Sequence, residues 1–159
     1  MFEYLKKYCR HSNFSSNSFY PVEEKEILEC EKFLEYELPS QLKSFYKEIG
    51  YGFLTHPYKY DDDYNFCNTN RINPPNLIVE ILEKGQESGY ISEDVYEDLQ
   101  PGDIPFFEIG DSSSFMIMKV LSDNPNAIWY MGQEKIEESL NEFIHNLYYK
   151  NPSYYADNW

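Results

Sequence analysis

The chain has 159 residues, a formal net charge of −15, and a composition 42% hydrophobic and 18% aromatic. That length suits one domain able to bury a core without metal or disulfide staples, and the apolar content excludes a disordered chain. The charge argues against a nucleic-acid binder, because phosphate contacts need clustered Lys and Arg, and against attraction to anionic membranes.

The acidity suits a basic protein partner, whose encounter such a field accelerates; the plain alternative is solubility. Lys6, Lys7 and Arg10 face only Glu3 in the first twenty residues, so the rest of the chain is more acidic still. The three cysteines, Cys9, Cys30 and Cys67, are odd in number and lack a C-x-x-C pair, which suggests neither a disulfide framework nor a zinc site. No apolar run reaches membrane-spanning length and no signal peptide is visible, so a reduced, cytoplasmic protein is expected.

In chain order, residues 2–9 fit a short helix. Residues 11–20, rich in Ser and Asn, read as a loop, and 1–20 as a loosely attached arm. From Val22 the pattern is helical: Ile27, Cys30, Phe33 and Leu34 repeat at three and four, and Glu23, Glu24 and Glu26 suit the positive end of the helix dipole. Cys30 falls on the apolar side as a small core residue.

The stretch 38–52 reads as a helix with both ends marked. Pro39 suits its first turn, Leu42, Phe45, Tyr46 and Ile49 share one face, and Gly50 supplies the positive φ of a helix stop. Gly52 is expected to let the chain reverse into a strand at Phe53-Leu54. Residues 55–70 read as a long loop holding Asp61-Asp62-Asp63, of the kind that is often functional.

Asn73 reads as the N-cap, and Pro74 as the first turn, of a helix carrying Leu77, Ile78, Ile81 and Leu82. A short helix at 92–96 and a turn at Pro101-Gly102 come next. Strands at 104–109, 115–121 and 127–131 make an antiparallel meander, with Phe115–Met118 apolar on both sides and so central. The last helix carries Ile136, Leu140, Phe143, Ile144 and Leu147, with Glu134, Glu137 and Glu138 at its start. Residues 151–159 form an irregular aromatic tail.

The sequence offers no catalytic constellation: no G-x-S-x-G, Walker A or H-E-x-x-H pattern occurs. His145 reads as a structural histidine of the last helix. The Asp61–Asp63 run lacks the Gly and distal Glu of a calcium loop, so a solvated acidic loop outweighs a metal site. No cofactor or metal is expected. The densest acidic stretch runs from Glu80 to Asp111. With the Asp61–Asp63 loop it gives the candidate partner-binding set Asp61, Asp62, Asp63, Tyr64, Tyr90, Glu93, Asp94, Tyr96, Glu97, Asp98, Asp103 and Asp111. In such a set aromatics supply binding energy while carboxylates steer and select.

An ordered series of short motifs resembles the SMI1/KNR4 (SUKH) superfamily. An acidic helix precedes Leu38-Pro39, and an aromatic helix with Phe45 leads to Gly50-Tyr51-Gly52-Phe53-Leu54. Then come Asn70-Arg71-Ile72 with Pro74-Pro75, Pro105 through Gly110-Asp111, a strand with Trp129, and a Leu/Phe-rich last helix. Gly50-Tyr51-Gly52 and Ser112–Ser114 depart from the Asn-Gly-Gly and the second Gly-Asp pair of many members.

The resemblance implies an α+β domain over 1–159, with N-terminal, middle and C-terminal helices on a twisted, mostly antiparallel sheet. In it Leu38, Pro39, Phe45, Gly50, Gly52, Pro74, Gly110 and Trp129 would be structural. It also implies no enzyme but an immunity protein that neutralises a cognate toxin domain, often a nuclease; from the many aromatics, which can expose a patch used for dimers, a monomer or weak homodimer is expected. A cell-wall or signalling regulator is the alternative.

Overall fold

Seven strands among the described residues form one sheet whose spatial order is the chain order, each antiparallel to the next. They are β1 (Ser18–Tyr20), β2 (Tyr51–Phe53), β3 (Arg71–Ile72), β4 (Asp103–Ile109), β5 (Ser114–Lys119), β6 (Ile128–Tyr130) and β7 (Lys135–Glu137). Among the described residues a 3-10 helix (Glu3–Tyr8) and four α-helices accompany them: α1 (Glu24–Leu34), α2 (Ser40–Glu48), α3 (Pro75–Lys84) and α4 (Leu140–Tyr149). The structure is a computed structural model describing residues 1–9, 17–54, 70–84, 98–109, 114–131, 134–150 and 154–155. The architecture is the expected α+β one.

Each helix forms for local reasons. At the start of α1 the Glu23 side chain accepts the Glu26 N–H and the Glu26 carboxylate accepts the Glu23 N–H, a reciprocal cap. Glu35 then takes a left-handed conformation that stops the helix. Only a narrow stripe of α1 is buried: Ile27 and Cys30 are inside, but Phe33, expected with them, is 43% exposed because it falls one position off the stripe. Burial pushes the Cys30 thiol up to about 12, so it remains a protonated, inert core group.

In α2 the stripe Leu42, Phe45, Tyr46 and Ile49 is wholly buried. Pro39 stands one residue earlier than expected, at the N-cap, where its carbonyl accepts the Lys43 N–H.

Two expectations are corrected around the next turn. Asn73 is not the N-cap of α3: Pro75 opens the helix and the Pro74 carbonyl accepts the first N–H groups. Asn73 is instead a fully buried clip. Its side chain donates to the Pro105 carbonyl at 3.0 Å, its N–H donates to Phe106, and its own carbonyl accepts the Tyr46 hydroxyl at 2.6 Å. Gly52 does not reverse the chain either. It lies inside β2 with a positive φ, paired with Phe19 of β1.

The arm and the last helix also differ from expectation. Residues 18–20 form strand β1, not a loop, and Phe2 and Leu5 are buried beside Phe45. Residues 135–137 form strand β7, so Ile136 belongs to the sheet, and α4 begins only at Leu140. Ser139 caps it by accepting the Glu142 N–H. His145, read as a structural histidine, is exposed on α4 against the rings of Tyr149 and Tyr4.

The core has two parts, and β5 divides them. Met116 and Met118 join the larger cluster with Phe45, Phe107, Phe143, Ile144 and Leu147; Phe115 and Ile117 join Leu77 and Ile81 of α3. The central strand is therefore covered on both faces, as its apolar run predicts.

Candidate functional site

Register decides what the sheet presents. Phe53, Arg71, Glu108 and Phe115 lie in one row across β2, β3, β4 and β5, so their side chains share a face. Within it the Arg71 guanidinium stands 3.7 Å from the Glu108 carboxylate and 5.9 Å from the centre of the Phe53 ring. The Glu108 side chain is only 7% exposed and that of Arg71 27%. A carboxylate at that depth needs a cation nearby to offset its lost hydration, and Arg71 supplies it. Alternation along β1 sends Phe19 into the core and leaves Tyr20 on the opposite face, directly across from Tyr51. Those two rings lie 5.6 Å apart, and Tyr20 is 51% exposed.

The same register sorts the connections between strands. β2 ends, β3 begins, β4 ends and β5 begins along this row, and the β6–β7 turn closes beside it with the Tyr130 N–H donating to Glu134. The connections 54–70, 109–114 and 131–134 therefore leave from one end of the sheet. The helical connection from β1 to β2, and the connection from β3 to β4 that holds α3, join at the other. The base of the 54–70 connection is held by the Leu54 N–H donating to the Asn70 carbonyl. Asn70 is in turn held by the Tyr155 hydroxyl, which donates to its side-chain oxygen at 2.9 Å. Nothing in the irregular tail sequence signals that Tyr155 docks here.

Most of the acidic set falls outside the described residues. Asp61, Asp62, Asp63 and Tyr64 belong to the 54–70 connection and Asp111 to the 109–114 connection, and these residues lie outside the described ones. So do Tyr90, Glu93, Asp94, Tyr96 and Glu97, between α3 and β4, and the motif residue Gly110. Asp98 is exposed near the start of β4, at the opposite end, about 20 Å away along that strand.

Asp103 departs from the expectation of a surface contact. It is 4% exposed and turns its carboxylate inward to accept the Gln100 N–H at 3.0 Å, closing the Pro101-Gly102 turn. Of the family-motif residues, Leu38, Pro39, Phe45 and Pro74 are buried and Trp129 is half-buried, with the Lys119 and Lys135 ammonium groups 4.7 and 5.9 Å from its ring centre.

Burial raises the Asp103 carboxyl above its ordinary range, offset in part by the Gln100 N–H and the Lys119 charge. The unfolded chain therefore loses this proton at lower pH than the folded one. The contribution to stability is complete below the unfolded pKa and is lost as pH rises through the folded pKa. Asp103→Asn, which keeps an oxygen for the Gln100 N–H, is expected to be more stable than the parent at neutral pH and equal to it in strong acid. Urea midpoints measured across that range check the sign.

Neither the described helices nor the described side chains point to other chemistry. No described helix is long and apolar enough to cross a membrane. Among the described residues, no three or more His, Cys, Asp or Glu residues are grouped to hold a metal ion.

An α+β domain whose chain-order sheet sends the 54–70, 109–114 and 131–134 connections from one end, and the helical connections and the β5–β6 hairpin from the other, is the form in which the motif series sits. The chain belongs to the SMI1 / KNR4 family (SUKH-1), whose model matches residues 21–146. It is similar to the protein of Bacillus subtilis (strain 168) named Immunity protein YxxD, at 35% identity over 142 residues, 89% of each chain.

Proposed function

We propose that this chain is an immunity protein that binds a cognate toxin domain in the cytoplasm and neutralises it by forming a stoichiometric complex, without chemistry of its own. The observation that carries this reading is the likeness to a protein named as an immunity protein over 89% of both chains. The net charge of −15 favours a toxin with a basic surface, such as the phosphate-gripping groove of a nuclease, which an acidic protein occupies in place of substrate. The steering carboxylates are those of Asp61–Asp63 and Asp111, on connections at one end of the sheet, with Glu93, Asp94, Glu97 and Asp98 as the second acidic group. Tyr64, Tyr90 and Tyr96 lie among them as contact residues.

Co-expression tests this reading directly. A toxin domain encoded beside this gene, where one exists, is expected to arrest growth alone and to be tolerated when this chain is present. The purified complex is expected to have a 1:1 ratio and an association rate that falls as salt rises. Absence of both rescue and a complex at low salt would refute an immunity role.

A further inference from the structure

The acidic connections account for steering, yet charges at a rim contribute little to the lifetime of a complex, which depends on a few large side chains that lose their water on binding. The described surface offers one place where two such rings adjoin on an edge strand and its neighbour. Tyr20 and Tyr51 face each other at 5.6 Å with their planes tilted by 34°, and Tyr20 is 51% exposed. Phe53 and Arg71 continue the same face inward. Among the described residues, cations of this chain stand over the rings of Tyr8, Tyr148, Phe53 and Trp129, and none stands over Tyr20 or Tyr51. In sequence, Pro21 and Val22 separate Tyr20 from Glu23, whose side chain caps α1, and from Glu24, whose carboxylate stands 3.3 Å from the Lys47 ammonium group. An exposed ring pair on a chain of net charge −15 is complementary to a cationic side chain.

We propose that the Tyr20–Tyr51 pair is the anchor on which the toxin domain seats an arginine or lysine side chain, its ammonium or guanidinium group lying against the rings. This rests on the immunity reading and adds to it the place and chemistry of the contact. A second copy of this chain is a poorer occupant, because each copy brings the same negative charge to the interface.

The test is calorimetric titration with a toxin domain that this chain rescues in co-expression, using the full chain and four variants with thermal melts alongside. Tyr20→Leu/Tyr51→Leu keeps apolar area but removes the ring faces, and is expected to weaken binding about tenfold or more. The single Tyr20→Leu, at a half-exposed position, is expected to show a smaller loss in the same direction and guards against misfolding of the pair. Tyr20→Phe/Tyr51→Phe keeps the rings and is expected to bind within about threefold of the parent. Leu121→Ala, exposed and three strands away, is expected to bind as the parent does. Parental affinity in both leucine variants, with growth rescue intact, overturns the anchor and leaves immunity standing. Failure of the unmodified chain to bind or rescue overturns both. A stable dimer that the leucine pair dissolves assigns the face to a second copy and overturns the toxin contact.

Discussion

Gly50→Ala and Gly52→Ala are each expected to cost about 3 kcal/mol of folding stability, lowering the melting temperature by about 6–12 °C. Both positions have positive φ, at 108° and 145°. The larger reason is β1. A Cβ on Gly50 would overlap the carbonyl oxygen of Tyr20, and one on Gly52 that of Ser18, and in each case the obstacle is backbone. The edge strand would have to move away, carrying Tyr20 with it. Gly102 is the control. Its φ is also positive, but its Cβ would meet the side chain of Leu121 at 2.8 Å, an exposed group that can rotate aside. Gly102→Ala is therefore expected to cost about 1 kcal/mol, and urea unfolding of the three variants gives the ranking. Equal losses at all three would mean that φ alone, and not the passage of β1, sets the cost.

Phe143→Ala is expected to cost about 3–5 kcal/mol. Phe143 is fully buried, edge-on to Phe107 with ring centres 5.1 Å apart and to Phe106 at 6.1 Å, and it stacks on Tyr155 at 6.3 Å. Truncation leaves a cavity bordered by β4, α4 and the tail, and a sheet already fixed on its other side by α3 cannot collapse into it. Because Tyr155 holds Asn70, the loss is also expected to loosen the base of the 54–70 connection, which amide exchange at Leu54 would register. Leu28→Ala, at an exposed position of α1, is expected to change stability by no more than about 0.5 kcal/mol.

These two sites also mark what was legible in the sequence. Helix α2 was readable because Pro39 and Gly50 mark its ends and its four apolar residues share the helical period. β1 was not, because three residues among serines and asparagines are too few to show alternation, and the two glycines that accommodate it lie thirty residues further on. β7 was misread for a different reason. Ile136 stands four residues before Leu140, in phase with α4, and the glutamates around it mimic a helix start. The spacing of Ser139 and Glu142, the signature of a cap, marked the true beginning.

The site was legible as residue types and not as places. Arg71 meets Glu108, and Tyr20 meets Tyr51, only through strand register. The acidic residues looked like one surface until β4 placed Asp98 and the 109–114 connection at its two ends. Asp103 looked like its neighbours in the sequence, and only the turn it closes draws it inward.

That the connections 54–70, 109–114 and 131–134 all leave from this first end of the sheet has a consequence for how such a chain can vary. Every hairpin at the first end joins strands already paired along their length, so its closure is prepaid by the ladder. Lengthening a closed loop is thermodynamically mild: each doubling adds only about 0.6 kcal/mol. Insertions, deletions and changes of composition between Leu54 and Asn70, or between Ile109 and Ser114, therefore leave strand register and helix packing untouched. Those segments can thus change while the rest of the domain keeps its folding stability.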